Sequence, residues 1–221
     1  SGSGSDVLDG WAQMENQVAV GISAGLGGIP FWTTDISGYC GDITDYPAMA
    51  ELYTRWMQFG IFCPLSRAHH EGDNAVEPWM FGEVAEKNTK AAIELKYQLF
   101  PYLYTYSRKA HDIGLPITRG LFMEYPNDAE AAKIDNQFIF GEELLVAPVL
   151  KKGERVKRVY LPEGEWIDFN DKKTEYLGGE KLPYKAPLNT IPIFVKKGSI
   201  IPMMPIMQYI GEKRDYPVTF H

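Results

Sequence analysis

An α/β part followed by an all-β part is the fold class this sequence predicts, and three observations lead to it. Up to about residue 122, segments with apolar residues at helical spacing alternate with single short apolar runs. That is the pattern of helices laid over a parallel, barrel-like or doubly wound sheet. Beyond about Tyr125 the helical spacing stops, and short apolar runs recur between Gly- and Pro-containing turns, as in an antiparallel sandwich. With 45% apolar and 23% charged residues among 221, there is enough apolar side chain for a core in each part. The predicted division is therefore 1–122 and 123–221, with residues 1–5, Ser-Gly-Ser-Gly-Ser, having the composition of a linker.

The first helix is predicted from the stripe Trp11, Met14, Val18, Ile22 and Leu26, which the pair Gly27-Gly28 stops. Ile29 to Trp32 reads as a buried strand that ends in the polar turn Thr33-Thr34-Asp35. A loop from Ser37 to Pro47 leads to a second helix with the stripe Leu52, Trp56 and Phe59, then to a buried segment, Phe62 to Leu65. Glu83 to about Lys109 predicts a long helix, broken or bent at Pro101 and ended by Gly114 and Pro116. Ile117 to Phe122 is expected to be one more strand of the α/β part.

In the second part, strands are expected at Leu144–Val149, Val156–Leu161, Trp166–Phe169, Thr190–Val195 and Ile200–Met203. The turns between them are marked by Lys152-Gly153, Pro162-Glu163-Gly164 and Gly178-Gly179. The closing run Tyr216-Pro-Val-Thr-Phe-His221 reads as a strand with no turn after it, so both ends are expected to be cut from something larger.

Charge and composition exclude several classes. The 22 basic and 29 acidic residues leave a net charge of −7 and no Lys/Arg-rich stripe, which argues against nucleic acid or an anionic membrane as partner. No apolar run has the length that spans a bilayer. Cys40 and Cys63 fall in no CxxC motif and near no His at ligand spacing, so two buried thiols are expected rather than a disulfide or a zinc site. No phosphate loop, nucleotide fingerprint or serine elbow is present, and no cofactor is expected.

The candidate chemistry lies where strands of the α/β part end, the face on which parallel α/β folds gather their active sites. Asp35 follows the Ile29–Thr34 run, and Asp6 stands just ahead of the first helix. Each also reads as a turn or capping acid. Arg67 and His69, two apart after a buried segment, are placed to point the same way from an extended loop, although such a His is also often structural. With Trp32, Tyr39 and Trp79 these residues have the chemistry of a sugar subsite, charged partners for hydroxyls and rings for the apolar sugar face.

The strings Asp6-Val-Leu-Asp-Gly-Trp11 and Gly28-Ile-Pro-Phe-Trp-Thr-Thr-Asp-Ile-Ser-Gly-Tyr39 resemble the acid/base region and next barrel strand of glycoside hydrolase family 31, the α-glucosidase and α-xylosidase family. The resemblance continues through Arg55-Trp-Met-Gln-Phe-Gly60, Pro64-Leu-Ser-Arg-Ala-His69, Glu77-Pro-Trp79, Leu99-Phe-Pro-Tyr-Leu-Tyr104 and Leu144-Leu-Val-Ala-Pro148. It covers nearly the whole chain in order. It implies the final part of a (β/α)8 TIM barrel followed by an antiparallel β-sandwich, and retaining cleavage of α-linked oligosaccharides or glycosides. By the same resemblance Asp6 matches the acid/base, and Trp32, Asp35, Arg67 and His69 match positions that hold the sugar. Ser37 stands where the family commonly has Gly, and the nucleophile motif occurs nowhere in the 221 residues. The rest of the barrel is therefore an expected partner, as a preceding segment or companion chain. A non-catalytic carbohydrate-binding or interaction module on the same fold is the alternative. The sequence leaves the preferred sugar, the compartment and the oligomeric state open.

Overall fold

The structure, a computed structural model, describes residues 7–40, 43–213 and 217–220. The first part runs α1 (Val7–Leu26), β1 (Asp35–Ile36), α2 (Tyr46–Gly60), β2 (Arg67–Ala68), a 3-10 turn (Pro78–Phe81), α3 (Glu83–Gln98) and α4 (Phe100–Ile113). Strands β1 and β2 pair in parallel, with Asp35 opposite Arg67 and Ile36 opposite Ala68. Met14, Val18 and Ile22 of α1 and Leu52, Trp56 and Phe59 of α2 are buried, as their spacing predicts, whereas Leu26 at the end of α1 is exposed. The Asp45 side chain caps α2 by accepting from the Ala48 N–H at 3.0 Å, a contact worth about 1 kcal/mol.

The long helix breaks where the proline demands it. Pro101 lacks an N–H and its ring would meet the carbonyl four residues earlier, so α3 stops at Gln98 and α4 starts with Pro101 in its first turn. Gly114, in the left-handed conformation at φ 75°, ends α4 with its N–H on the Ala110 carbonyl.

Four expectations are corrected here. Ile29 to Trp32 is not a buried strand: Ile29 and Phe31 are exposed, and ladder pairing is confined to residues 35–36, opposite β2. A single bond, Leu65 N–H to the Trp32 carbonyl at 3.3 Å, ties the earlier run to its neighbour. Leu65 is itself exposed, although Phe62, Cys63 and Pro64 are buried. The strand expected at 117–122 shrinks to β3 (Thr118–Arg119), because Leu121–Glu124 turns into the short helix α5. Strand β3 also pairs antiparallel with β4 (Phe138–Phe140), so it belongs to the sheet that follows and not to the parallel pair. Cys63 is buried, but Cys40 is only partly covered.

The second part continues through β5 (Leu144–Val146), β6 (Val156–Leu161), β7 (Glu165–Asp168), β8 (Glu175–Leu177), β9 (Glu180–Lys185), β10 (Ile193–Lys196), β11 (Pro202–Met203) and β12 (Thr219–Phe220). Six strands form one sheet in the order β3-β4-β5-β10-β7-β8, and β6 pairs with β9 in a separate antiparallel ladder. Successive residues of the central strands face opposite sides. Phe138, Phe140, Leu144, Val146 and Ile193 join the core under the helices, while Ile139, Leu145 and Phe194 join the core shared with Val159, Leu161 and Trp166. Both faces of the sheet are therefore covered, which explains why these strands read as unbroken apolar runs. Helix α2 packs on the first face through Phe59, edge-on to Phe138 at 6.0 Å between ring centroids.

Candidate functional site

The register of the parallel pair makes the site. Asp35 and Arg67 are partners across β1 and β2, and the Arg67 Nε donates to Asp35 Oδ1 at 2.7 Å. The carboxylate is largely covered, its side chain 16% exposed, while the guanidinium is 55% exposed and has further donors to offer. Beyond β1 the backbone turns back, with the Gly38 N–H on the Asp35 carbonyl at 2.9 Å. Both turn residues take positive φ, Ser37 at 83° and Gly38 at 88°. At Gly38 that conformation suits the residue; at Ser37 it is strained, and the buried Ser37 hydroxyl has no hydrogen-bond partner among the described residues.

Asp35 opens into a cleft of about 370 Å³ whose walls include Gln13 and Gln17 of α1, Trp32, Tyr39 and Trp56. Trp32 is half-buried, its ring tilted against Phe59 at 6.5 Å. It lies so close to α1 that a Cβ at Gly21 would come within 2.8 Å of its ring, so glycine there is what admits the tryptophan. His69 stands at the rim, its ring 5.2 Å from that of Tyr39 and tilted by 32°. The cleft thus offers a carboxylate, two amides and aromatic faces around one opening, while Arg67, paired with Asp35, itself lines a neighbouring groove. This donor and acceptor set suits a polyhydroxylated, uncharged ligand with an apolar face.

The structure therefore brings Trp32 and Asp35 into one cleft, with Arg67 reaching it through Asp35 and His69 through Tyr39. Asp6 lies outside the described residues. Trp79 does not join: it sits in the 3-10 turn, 62% exposed, beside a different groove. Sequence reasoning missed Gln13, Gln17 and Trp56. The two glutamines are one helical turn apart on α1 and so share a face, a signal that the apolar stripe overshadowed.

A larger groove of about 580 Å³ lies among β2, α2 and α3, but aliphatic and aromatic side chains such as Tyr53, Met57, Ile93 and Leu103 dominate its lining. Lys96 borders it and donates to the Cys63 carbonyl at 2.5 Å, while burial holds its ammonium down to about 8. Among the described residues no group of three or more His, Cys, Asp or Glu is arranged to hold a metal ion, and no helix is long and apolar enough to cross a membrane.

Comparison with known proteins gives consistent results. The glycosyl hydrolase family 31 TIM-barrel domain matches residues 4–106, and the family 31 C-terminal domain matches residues 114–201. An α-xylosidase of Saccharolobus solfataricus is 36% identical over 90% of this chain and 27% of its own length. Alpha-glucosidase 2 of Bacillus thermoamyloliquefaciens is 36% identical over 86% of the chain and 24% of its own length. Among solved structures, a dextranase of Flavobacterium johnsoniae superposes on the whole chain with a TM-score of 0.97 and 70% identity, covering 27% of that protein. The chain thus spans about a quarter of the length of these relatives.

Proposed function

Since the chain belongs to glycoside hydrolase family 31, we propose that it forms the sugar-holding end of a retaining α-glycoside hydrolase, α-glucosidase-like and exo-acting. The observation that carries this reading is the Asp35–Arg67 pair on adjacent parallel strands, with Asp35 opening into a cleft walled by Trp32. The Asp35 carboxylate accepts from sugar hydroxyls and the Arg67 guanidinium donates to them, while the Trp32 and Tyr39 rings cover the apolar sugar face. Contacts that strengthen as the ring flattens toward an oxocarbenium ion lower the barrier, which is how such a subsite contributes to rate.

Retaining cleavage needs two carboxylates. Asp6 is proposed as the acid/base: as a carboxylic acid it gives its proton to the leaving oxygen, and as a carboxylate it then takes a proton from the attacking water. The nucleophile is proposed to come from barrel residues outside this chain, so the chain alone lacks the covalent route. The dextranase relative has been solved with isomaltotriose, and at 70% identity we extend that substrate class, an α-linked glucose oligomer, to this chain.

The test is to join the chain to the preceding barrel segment of the dextranase and to follow glucose release from isomaltotriose. Turnover that Asp35→Asn lowers at least 100-fold supports the reading. Turnover indifferent to Asp35 contradicts it.

A further inference from the structure

Helix α2 lies between the sheet of the second part and the candidate sugar cleft, and its two sides make different bonds. On one side Glu51, Arg55 and Gln58, spaced to share a helical face, reach loops of the second part. Glu51 accepts from Arg155 at 2.5 Å and from the Gly153 N–H at 3.1 Å. The Arg55 guanidinium, 1% exposed, donates to the carbonyls of Ala186 at 2.7 Å and Thr190 at 3.0 Å and to Gln58 Oε1 at 2.9 Å. Gln58 in turn donates to the Leu188 carbonyl at 2.7 Å. Burial, with Arg155 nearby, pulls the Arg55 guanidinium down to about 10, still charged at neutral pH, so each carbonyl accepts from a cation in a site of low polarity.

On the other side, Trp56 donates its indole N–H to Thr34 Oγ1 at 3.0 Å, a bond buried at both ends. Thr34 is bonded in sequence to Asp35, and the Trp56 ring lies under the turn that follows, 3.9 Å from where a Cβ on Gly38 would be. One helix thus connects the 186–190 loop to the strand that carries the sugar-facing carboxylate. Thr34 and Trp56 also border the cleft, so direct contact with the ligand is the competing role, and it would persist when Asp35 is altered.

We propose that Trp56 is a positioning residue for Asp35, acting through Thr34, and that Arg55 fixes Trp56 by anchoring α2 to the 186–190 loop. This proposal rests on the reading of Asp35 as a sugar ligand. A carboxylate displaced by a fraction of an ångström loses hydroxyl contacts that matter most in the transition state, so the effect falls on kcat/KM and not only on stability.

The experiment uses the chain joined to the preceding dextranase barrel segment, with Thr34→Val, Thr34→Ser, Trp56→Phe and Arg55→Lys, each alone and combined with Asp35→Asn. Rates are expressed per folded protein, from circular dichroism and thermal melts. Thr34→Val, Trp56→Phe and Arg55→Lys are expected to lower kcat/KM 5- to 30-fold, and Thr34→Ser, which keeps the acceptor, by no more than twofold. In the Asp35→Asn background the same three changes are expected to cost less than twofold, because they act through the group already altered. Additive losses, or a Thr34→Val protein as active as its parent, overturn the proposal while Asp35→Asn stays harmful. If Asp35→Asn does no harm, the sugar-site reading falls and this proposal with it. Should Thr34→Val not fold, Trp56→Phe, which keeps most of the ring volume, decides by the same criteria.

Discussion

The Arg67 guanidinium and the Asp35 carboxylate meet at 2.7 Å across two parallel strands, yet the arginine side chain is more than half exposed. An ion pair so open to water stabilises a fold by less than about 1 kcal/mol, so its worth must be sought in ligand binding. Arg67→Met is expected to lower kcat/KM on isomaltotriose at least 30-fold in the completed barrel while shifting the denaturation midpoint by no more than that energy. A loss of stability with activity per folded molecule unchanged would assign the pair to structure.

The turn after Asp35 carries strain that a single substitution removes. Ser37 holds φ at 83° with its hydroxyl buried and without a partner among the described residues, and Ser37→Gly relieves both penalties at the cost of some backbone entropy in the unfolded chain. The expected gain is about 1 kcal/mol in urea unfolding. An equal or lower midpoint would mean that the serine side chain stabilises the turn.

Lys96 sets a pH window. Burial lowers its ammonium to about 8, against about 10.4 for a free lysine, so between these values the unfolded lysine holds its proton more than the folded one. Stability should therefore rise from about pH 8 to about pH 9, where the unfolded Cys63 thiol begins to ionise while burial holds the folded one up to about 12, which opposes any further rise. Above about pH 10 it should fall, because burial and the nearby Glu143 raise the Tyr102 phenol and burial with the Glu143 hydrogen bond raises Tyr106, so the unfolded phenols ionise first. Urea midpoints at pH 8, 8.5 and 9 check this, and Lys96→Met should abolish the rise. A wild-type curve that falls across the window would contradict the assignment.

Glu143 holds α4 to the sheet by accepting from both Tyr102, at 2.7 Å, and Tyr106, at 2.6 Å. Glu143→Gln keeps an acceptor, whereas Glu143→Leu takes the carboxylate from both phenols and leaves Tyr102 with the Phe140 carbonyl and the backbone N–H of residue 143. The leucine variant should lose about 2–3 kcal/mol more than the glutamine variant in thermal or urea unfolding. Equal losses would show that the hydroxyls are otherwise satisfied.

The proposed acid/base role of Asp6 predicts a leaving-group dependence. In the completed barrel, Asp6→Ala should slow isomaltotriose about 100-fold or more and 2,4-dinitrophenyl α-glucoside far less, because only the sugar leaving group needs the proton. Equal losses on both substrates would remove Asp6 from that role.

Much of this was legible in the chain itself. The stripes of α1 and α2, the break at Pro101 and the span of β6 follow from spacing and from proline's missing donor. The misread elements share a physical cause, that strand pairing depends on a partner far away in sequence. Ile29 to Trp32 has the composition of a strand but lies outside the ladder, tied to the next segment by the Leu65–Trp32 bond, and Thr118-Arg119 looks parallel until β4 takes it into an antiparallel sheet. At the site, Asp35 and Arg67 were recognisable as separate polar residues after apolar runs. Their partnership was not, because it is created by a register of 32 residues' separation. Trp56 read as core and is core, and only the direction of its indole N–H shows what else it does.

The central claim, that this chain holds the sugar for an α-glycosidase whose nucleophile lies outside it, is tested by one comparison. Release of p-nitrophenol from a panel of p-nitrophenyl α-glycosides is measured for the chain alone and for the chain joined to the preceding dextranase barrel segment. The account predicts no turnover by the chain alone and turnover by the joined protein with one α-sugar preferred. Sugar binding without turnover by either protein would contradict it and leave a carbohydrate-binding module in its place.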